Sequence, residues 1–269
     1  MQAWGPVQEM QAQFMDLFAV FAGFAVGAIV GMTGVGGGSL MTPLLLGVFK
    51  LNPAVAIGTD LWFAAITKSG GSWAHHRMGH VDYRVTALLL AGSLPASVAT
   101  IAVMYFSGIT KGWSAALTTV LGVALLLTAV CVAYRSAWFA LGLRLERWLP
   151  PRRKAVLTVA SGLLLGVLVS LSSIGAGAIG ATLLLLLYPR LPAHRIVGTD
   201  IAHAVPLTLV AGIGHAWLGH VDWLLLGTLL IGSLPGIWLG ARLTRSMPEG
   251  LVRGVLCMSL AAAGFKVLT

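Results

Sequence analysis

Residues 17–49 read LFAVFAGFAVGAIVGM, then TGVGGGS at 33–39, then LMTPLLLGVF. Both flanks are apolar, and the glycine cluster between them interrupts any helix, since each glycine is about 1 kcal/mol worse than alanine at a helical position. As one continuous membrane span the stretch is too long. As two full spans, limbs 17–32 and 40–49 are each too short for a hydrocarbon core about 30 Å thick at 1.5 Å rise per residue. A re-entrant hairpin fits the length, with both limbs dipping in from one face and the glycine tip near the midplane.

The rest of the chain agrees with a membrane setting. Of 269 residues, 58% are hydrophobic and only 9% charged, and the mean hydropathy is +0.91. A soluble protein carries roughly 25% charged residues, so this composition cannot furnish a water-facing surface. With about 20 apolar residues per transmembrane helix, the length admits roughly eight to ten membrane elements and no sizeable aqueous domain. The expected class is an all-α polytopic membrane protein. The net charge of +9 would point to nucleic acid in a soluble chain. Here no basic patch is interleaved with aromatics, so nucleic acid is not an expected partner and the cations report topology instead. Cys131 and Cys257 sit in apolar runs, too few for a disulfide framework or zinc site. Residues 1–16 contain no Lys or Arg and lack the basic start of a secretory signal peptide, so they are read as a short uncleaved tail.

The broken element recurs, and the chain is a duplication. Thr33-Gly34-Val35-Gly36-Gly37-Gly38 aligns with Ser172-Ser173-Ile174-Gly175-Ala176-Gly177, and Gly58-Thr59-Asp60 with Gly198-Thr199-Asp200. His75 aligns with His215, Gly79-His80-Val81-Asp82 with Gly219-His220-Val221-Asp222, and Gly92-Ser93-Leu94-Pro95 with Gly232-Ser233-Leu234-Pro235. The first repeat, 1–134, is expected to hold a hairpin at 17–49 and helices at 54–74, 85–106 and 113–134. A basic linker, 135–154, leads to the second repeat, 155–269, with a hairpin at 155–188 and helices at 196–217, 223–241 and 251–268.

Positive charge tests the topology. If each broken element crossed once, the halves would run parallel and Arg190, Arg195, Arg242 and Arg245 would face outside, against the positive-inside rule. If each is re-entrant, a repeat has three crossings and the halves are inverted. With both termini outside, thirteen of the seventeen Lys and Arg then face the cytoplasm, including the linker, while Lys50, Lys111 and Lys266 face out and Lys68 stays in the membrane. Two full spans per broken element give the same parity. The expected location is the inner (plasma) membrane.

Inverted repeats with broken helices build secondary transporters around a midplane site. A helix N-terminus following each glycine tip offers unpaired N–H groups and a partial positive charge, which suits a small anion. Candidate substrate contacts are therefore Thr33, Gly34, Gly36, Gly37, Gly38 and Ser39 at the first tip, and Ser172, Ser173, Gly175 and Gly177 at the second. Lys68, unmatched in the second half where Thr208 stands, joins them as an intramembrane cation that would suit an anion, or could pair with Asp60 or snorkel to the interface. Asp60 and Asp200, each after a Gly-Thr, could carry protons, bind a coupling cation, hold the hairpin through its N–H groups, or cap a helix start; Thr59 and Thr199 share these places. His203 lies one turn beyond Asp200 and could relay a proton or simply be a hydrogen-bonded core histidine. His75, His76, His80, His215 and His220 fall on opposite faces at spacings that match no zinc motif. No metal, cofactor or catalytic residue is expected, and no nucleotide fingerprint appears.

These residues resemble the sulfite exporter TauE/SafE family, also called the TSUP transporters, over about residues 14–268. The resemblance rests on Gly27-x-x-x-Gly31-x-x-Gly34-x-Gly36-Gly37-Gly38 with Pro43, on Gly58-Thr59, and on the weaker copy from Gly166 to Gly177 with Gly198-Thr199. It implies a permease, by its name an exporter, for a small sulfur-containing anion such as sulfite or a related organosulfonate. In the second copy Ala176 and Ala178 replace glycines and Thr182 stands where Pro43 would be, so the first tip is the expected stronger ligand contact. A passive anion channel and a non-transporting membrane scaffold are the alternatives.

Overall fold

The computed structural model describes residues 5–33, 38–107, 111–243 and 249–268, and among them forms eleven helices and no strand. The first half contains α1 (Gly5–Thr33), α2 (Gly38–Gly47), α3 (Pro53–Arg77), α4 (Tyr83–Phe106) and α5 (Lys111–Ala133). The connecting α6 (Arg135–Glu146) precedes α7 (Pro151–Ser172), α8 (Ala178–Leu187), α9 (Ala193–Trp217), α10 (Trp223–Leu243) and α11 (Glu249–Leu268). Five described segments are long and apolar enough to cross a bilayer, in α4, α5, α7, α9 and α10. The chain is an all-α polytopic membrane protein.

Three boundaries differ from the sequence reading. The expected tail is helical from Gly5 onward and continues into α1. The linker is not a free tether: α6 lies on α8, with Gly142 against the carbonyls of Leu185 and Leu186, and Glu146 pairs with Lys154 at 3.1 Å and Arg190 at 2.9 Å. The first limb of the second hairpin starts at Pro151, with proline at the first helical turn where its missing N–H costs nothing. At 22 residues α7 is long enough to span, so the length argument for re-entrance holds only for α2 and α8, ten residues and about 15 Å each.

The helix directions nevertheless make both broken elements hairpins. On α4 and α7, Leu89 meets Gly162 and Ser93 meets Gly166, so these helices run parallel. On α4 and α9, Ser93 meets His203 and Ile101 meets Gly214, so these also run parallel. Hence α7 and α9 point the same way, and α8 between them must run back. The tyrosine just past α8 closes that return, Tyr188 Oη lying 2.8 Å from Thr158 Oγ1 near the start of α7, with the Lys154 ammonium 4.7 Å over its ring. In the first half Phe18 and Phe49 close α1 and α2 in the same manner, their rings 5.8 Å apart.

Close seams join helices of the first half of the chain to helices of the second. A Cβ at Gly27 of α1 would lie 2.7 Å from Ser233 Cα of α10, and one at Gly166 of α7 would lie 2.9 Å from Ser93 Cα of α4. Small residues four apart let helix backbones touch, the main source of helix association in lipid. Gly27 and Gly166, members of the glycine motif, are therefore packing positions. Helices α3 and α9 run antiparallel: Trp62 Nε1 donates to Gly212 O at 2.9 Å while Gly71 meets Ile201. So do α5 and α11, with Gly122 on Leu268 and Gly264 on Leu125 and Leu126.

Each end of the α3–α9 pair is clasped by the turn of the opposite repeat. The Asp222 N–H donates to Thr59 Oγ1 and the Asp82 N–H to Thr199 Oγ1, both at 3.0 Å. Gly58 and Gly198 let these turns approach, since a Cβ on either would strike the carbonyl of His220 or His80. Thr59→Ala and Thr199→Ala should each destabilise by about 1 kcal/mol, and together by about twice that because the clasps are at opposite ends. Thermal unfolding of the two single variants and the double variant in detergent checks this.

Candidate functional site

The second hairpin tip is a turn built on left-handed and glycine-only backbone. Ser173 ends α7 in the left-handed region at φ 58°, and Gly175 and Gly177 take φ 127° and 144°. Those two values are open to glycine alone at low cost, which is why the chain can reverse here and restart as α8. Ser172 is spent on this turn: its hydroxyl donates to Leu168 O at 2.7 Å and accepts from the Ile174 N–H at 3.2 Å. Ser173 Oγ is buried and has no hydrogen-bond partner.

Against this tip stands α3. The Lys68 ammonium, with the residue only 7% exposed, donates to the carbonyl of Ala176 at the tip's centre. The link joins the middle of a first-repeat helix to the broken element of the second repeat. Lys68 lies in the field of both Asp60 and Asp200, so the three intramembrane charges singled out in the sequence form one cluster. Asp60 is fully buried, accepts a hydrogen bond at Oδ2 from the Thr42 hydroxyl of α2, and faces Ser173 without completing a bond to it. Asp200 abuts the first turn of α8, where a Cβ on Gly180 would collide with its Oδ1. Oδ1 of both carboxylates is buried and without a partner.

Neither aspartate caps a helix start. That role belongs to Asn52, whose Oδ1 accepts from the Ala54 N–H at 3.0 Å, and to Asp82 and Asp222, which accept from Val85 N–H at 3.2 Å and Leu225 N–H at 3.0 Å. Thr59 and Thr199 belong to the clasps and not to the charge cluster. His203 is buried beside the cluster, its Nε2 2.9 Å from Ser93 Oγ and its Nδ1 unpartnered.

At the first tip, Gly34, Gly36 and Gly37 lie outside the described residues, as do the side chains of Thr33 and Ser39; Gly38 begins α2. Sequence reasoning passed over Thr42, Gly180, Ser93 and the Ala176 carbonyl. Thr42 had a signal, a hydroxyl in the otherwise apolar limb LMTPLLL. The backbone carbonyl had none. The histidines gather at the two turns: His75, His80 and the unforeseen His194 stack at 5.6 and 4.5 Å, and His215 and His220 at 5.5 Å.

An all-helical membrane protein with two ten-residue half-helices and buried charges gathered at the second tip has the build of a transporter. The chain belongs to the sulfite exporter TauE/SafE family, whose sequence profile matches residues 19–267. It is 35% identical over 257 residues to the "probable membrane transporter protein YjnA" of Bacillus subtilis (strain 168), covering 94% of this chain and 100% of that protein. A second protein of that organism, the "probable membrane transporter protein YdhB", is 27% identical, with 91% and 97% covered. The "probable membrane transporter protein MJ0441" of Methanocaldococcus jannaschii is 22% identical, with 97% and 99% covered. No solved structure matches the chain.

Proposed function

We propose that this membrane transporter is a secondary transporter for a small sulfur-containing oxyanion such as sulfite or a related organosulfonate, working by alternating access around a site between the hairpin tips. The observation that carries this reading is the buried Lys68 ammonium held at the second tip. An ammonium in a water-excluded interior attracts an anion far more strongly than it would in water. Around it, Ser173 offers a free hydroxyl, and Gly175 and Gly177 keep the backbone bare. Thr33, Gly34, Gly36, Gly37, Gly38 and Ser39 complete the site from the first tip. Ser172 acts indirectly, by shaping the turn. Export is the direction the family's description suggests.

The antiparallel course of α3 and α9 supports inverted halves, and the distribution of Lys and Arg then favours both termini outside the inner membrane and a cytoplasmic linker. Apolar packing joins α1 and α2 to α3 and α10, and α7 and α8 to α3, α4, α5 and α9, so each hairpin rests on helices from both halves of the chain.

Reconstituted vesicles loaded with sulfite, thiosulfate, sulfoacetate, sulfate or chloride test the function. Saturable, competable efflux of a sulfur oxyanion is the expected result; ohmic flux means a channel, and no flux of any anion means a scaffold. Gly37→Leu should abolish flux without preventing insertion, and normal transport by that variant would exclude the tip site. Topology is tested by placing a cysteine at Arg190 in a variant lacking Cys131 and Cys257. A membrane-impermeant maleimide should label it from the cytoplasmic side only.

A further inference from the structure

The charge cluster is poorly matched to an anion as it stands. Asp60, Asp200 and Lys68 are all buried, and with every group ionised they leave one net negative charge where the substrate is to bind. An oxyanion adds more negative charge and brings only hydrogen-bond acceptors. Two acceptors already wait there without donors, Oδ1 of Asp60 and Oδ1 of Asp200. A carboxylate oxygen and an oxygen of the bound anion can both only accept, and they repel unless a proton lies between them.

The donors present do not resolve this. The Thr42 hydroxyl is directed to Asp60 Oδ2, and Lys68 directs one N–H to Ala176 O. From α9, His203 turns Nε2 to Ser93 and leaves Nδ1 free beside the cluster. Among the described residues, the packed elements bring four titratable groups to this place, Asp60 and Lys68 on α3 and Asp200 and His203 on α9; the second tip and the start of α8 contribute Ser173 and backbone.

We propose that the anion crosses together with a proton taken up on the Asp200 carboxylate, so that the transporter is an anion–proton symporter. This rests on the anion-transport reading given above. The proton comes from water on the side where the anion binds and adds to a carboxylate oxygen. The resulting O–H donates to the anion, and Lys68 faces the pair. After the site opens to the other side, the anion leaves and the carboxyl returns its proton to water. For a monoanion no net charge crosses, and the combined anion and proton gradients set the direction. Asp200 is the site because Asp60 already has a hydroxyl donor that favours its ionised form. Lys68 and His203 have no equivalents in the other half, where Thr208 and Phe63 stand, so a single proton site is built on one side of a duplicated fold.

Thiosulfate and methanesulfonate are suitable probes, since both are anions of strong acids and carry no proton themselves. In vesicles containing the full chain and a trapped pH-sensitive dye, an inward gradient of either should acidify the lumen in step with anion uptake, about one proton per anion. Calorimetric binding of thiosulfate to the detergent-solubilised protein in two buffers of different ionisation enthalpy should show the same proton uptake. Affinity should fall about tenfold per pH unit where the carboxylate is ionised. Asp200→Asn should take up anion, at a reduced rate, without acidification and with a flat pH dependence of binding. Anion uptake without acidification in the wild type, or acidification persisting in Asp200→Asn, overturns the symport assignment and leaves the transport function standing. Absence of flux for these probes and for sulfite overturns both. The wild-type pH dependence decides the matter if the variant does not fold.

Discussion

Lys68→Met should destabilise the protein by about 3–5 kcal/mol, the usual consequence of removing one partner from a buried ionic cluster, and should abolish anion flux. The side chain fits the space, so the loss is electrostatic. Asp60 and Asp200 would remain buried with no cation in reach, and the Ala176 carbonyl would lose its donor. For a chain of this size the change corresponds to a fall in Tm on the order of 10 °C. Adding Asp200→Asn should recover much of the stability, because it removes one of the two stranded charges, while transport stays absent. Unfolding of the single and double variants in detergent, beside flux in vesicles, separates the two roles of the lysine. A Lys68→Met protein melting at the wild-type temperature would mean that the ammonium compensates neither carboxylate.

The second large effect concerns the seams. Gly166→Leu should destabilise by about 3 kcal/mol or more, the upper end for forcing volume into a packed contact. Its Cβ alone would sit 2.8 Å from Ala96 Cβ and 2.9 Å from Ser93 Cα. Backbone cannot swing aside as a flexible side chain can, so α4 and α7 must separate. Ser93 and Ser97 would move with α4, breaking the contacts to His203 at 2.9 Å and to Ser170 at 2.8 Å. Gly227→Ala is the comparison, since nothing lies within 4 Å of a Cβ there. It should leave Tm unchanged or raise it slightly, alanine being the better helix former. Equal behaviour of the two variants would show that α4 and α7 do not depend on close approach at Gly166.

The membrane class and most helix positions were legible in the linear chain, while the helical tail, the linker helix α6 and the start of α7 were not. Low charge excludes a soluble surface whatever the fold. Asp, His and Pro kept in register between two apolar halves identify equivalent segments. The intramembrane ions were legible for the same reason, since an ionisable group in an apolar run has no cheap explanation. The roles within that list were harder to assign. Thr59 and Thr199 look like site residues beside their aspartates, yet their hydroxyls face the opposite turns, because successive helical residues point about 100° apart. Gly27 and Gly166 share a motif with the tip glycines, but sit where another helix passes. A glycine that frees the backbone and one that makes room for a neighbour are the same letter.

Sequence alone therefore determined what lies in the membrane and which residues are expensive to keep there, since both depend on composition and local spacing. Tertiary structure decided which of them meet. Lys68 and Ala176 are 108 positions apart, and no periodicity connects them; their contact exists because α3 packs along α9 and the chain turns back at the tip between α7 and α8. The packing of α4 on α7 and of α10 on α1 was hidden for the same reason. Glycine seams of similar shape can close within a repeat or across it, and only the summed packing of all the helices selects the pairing.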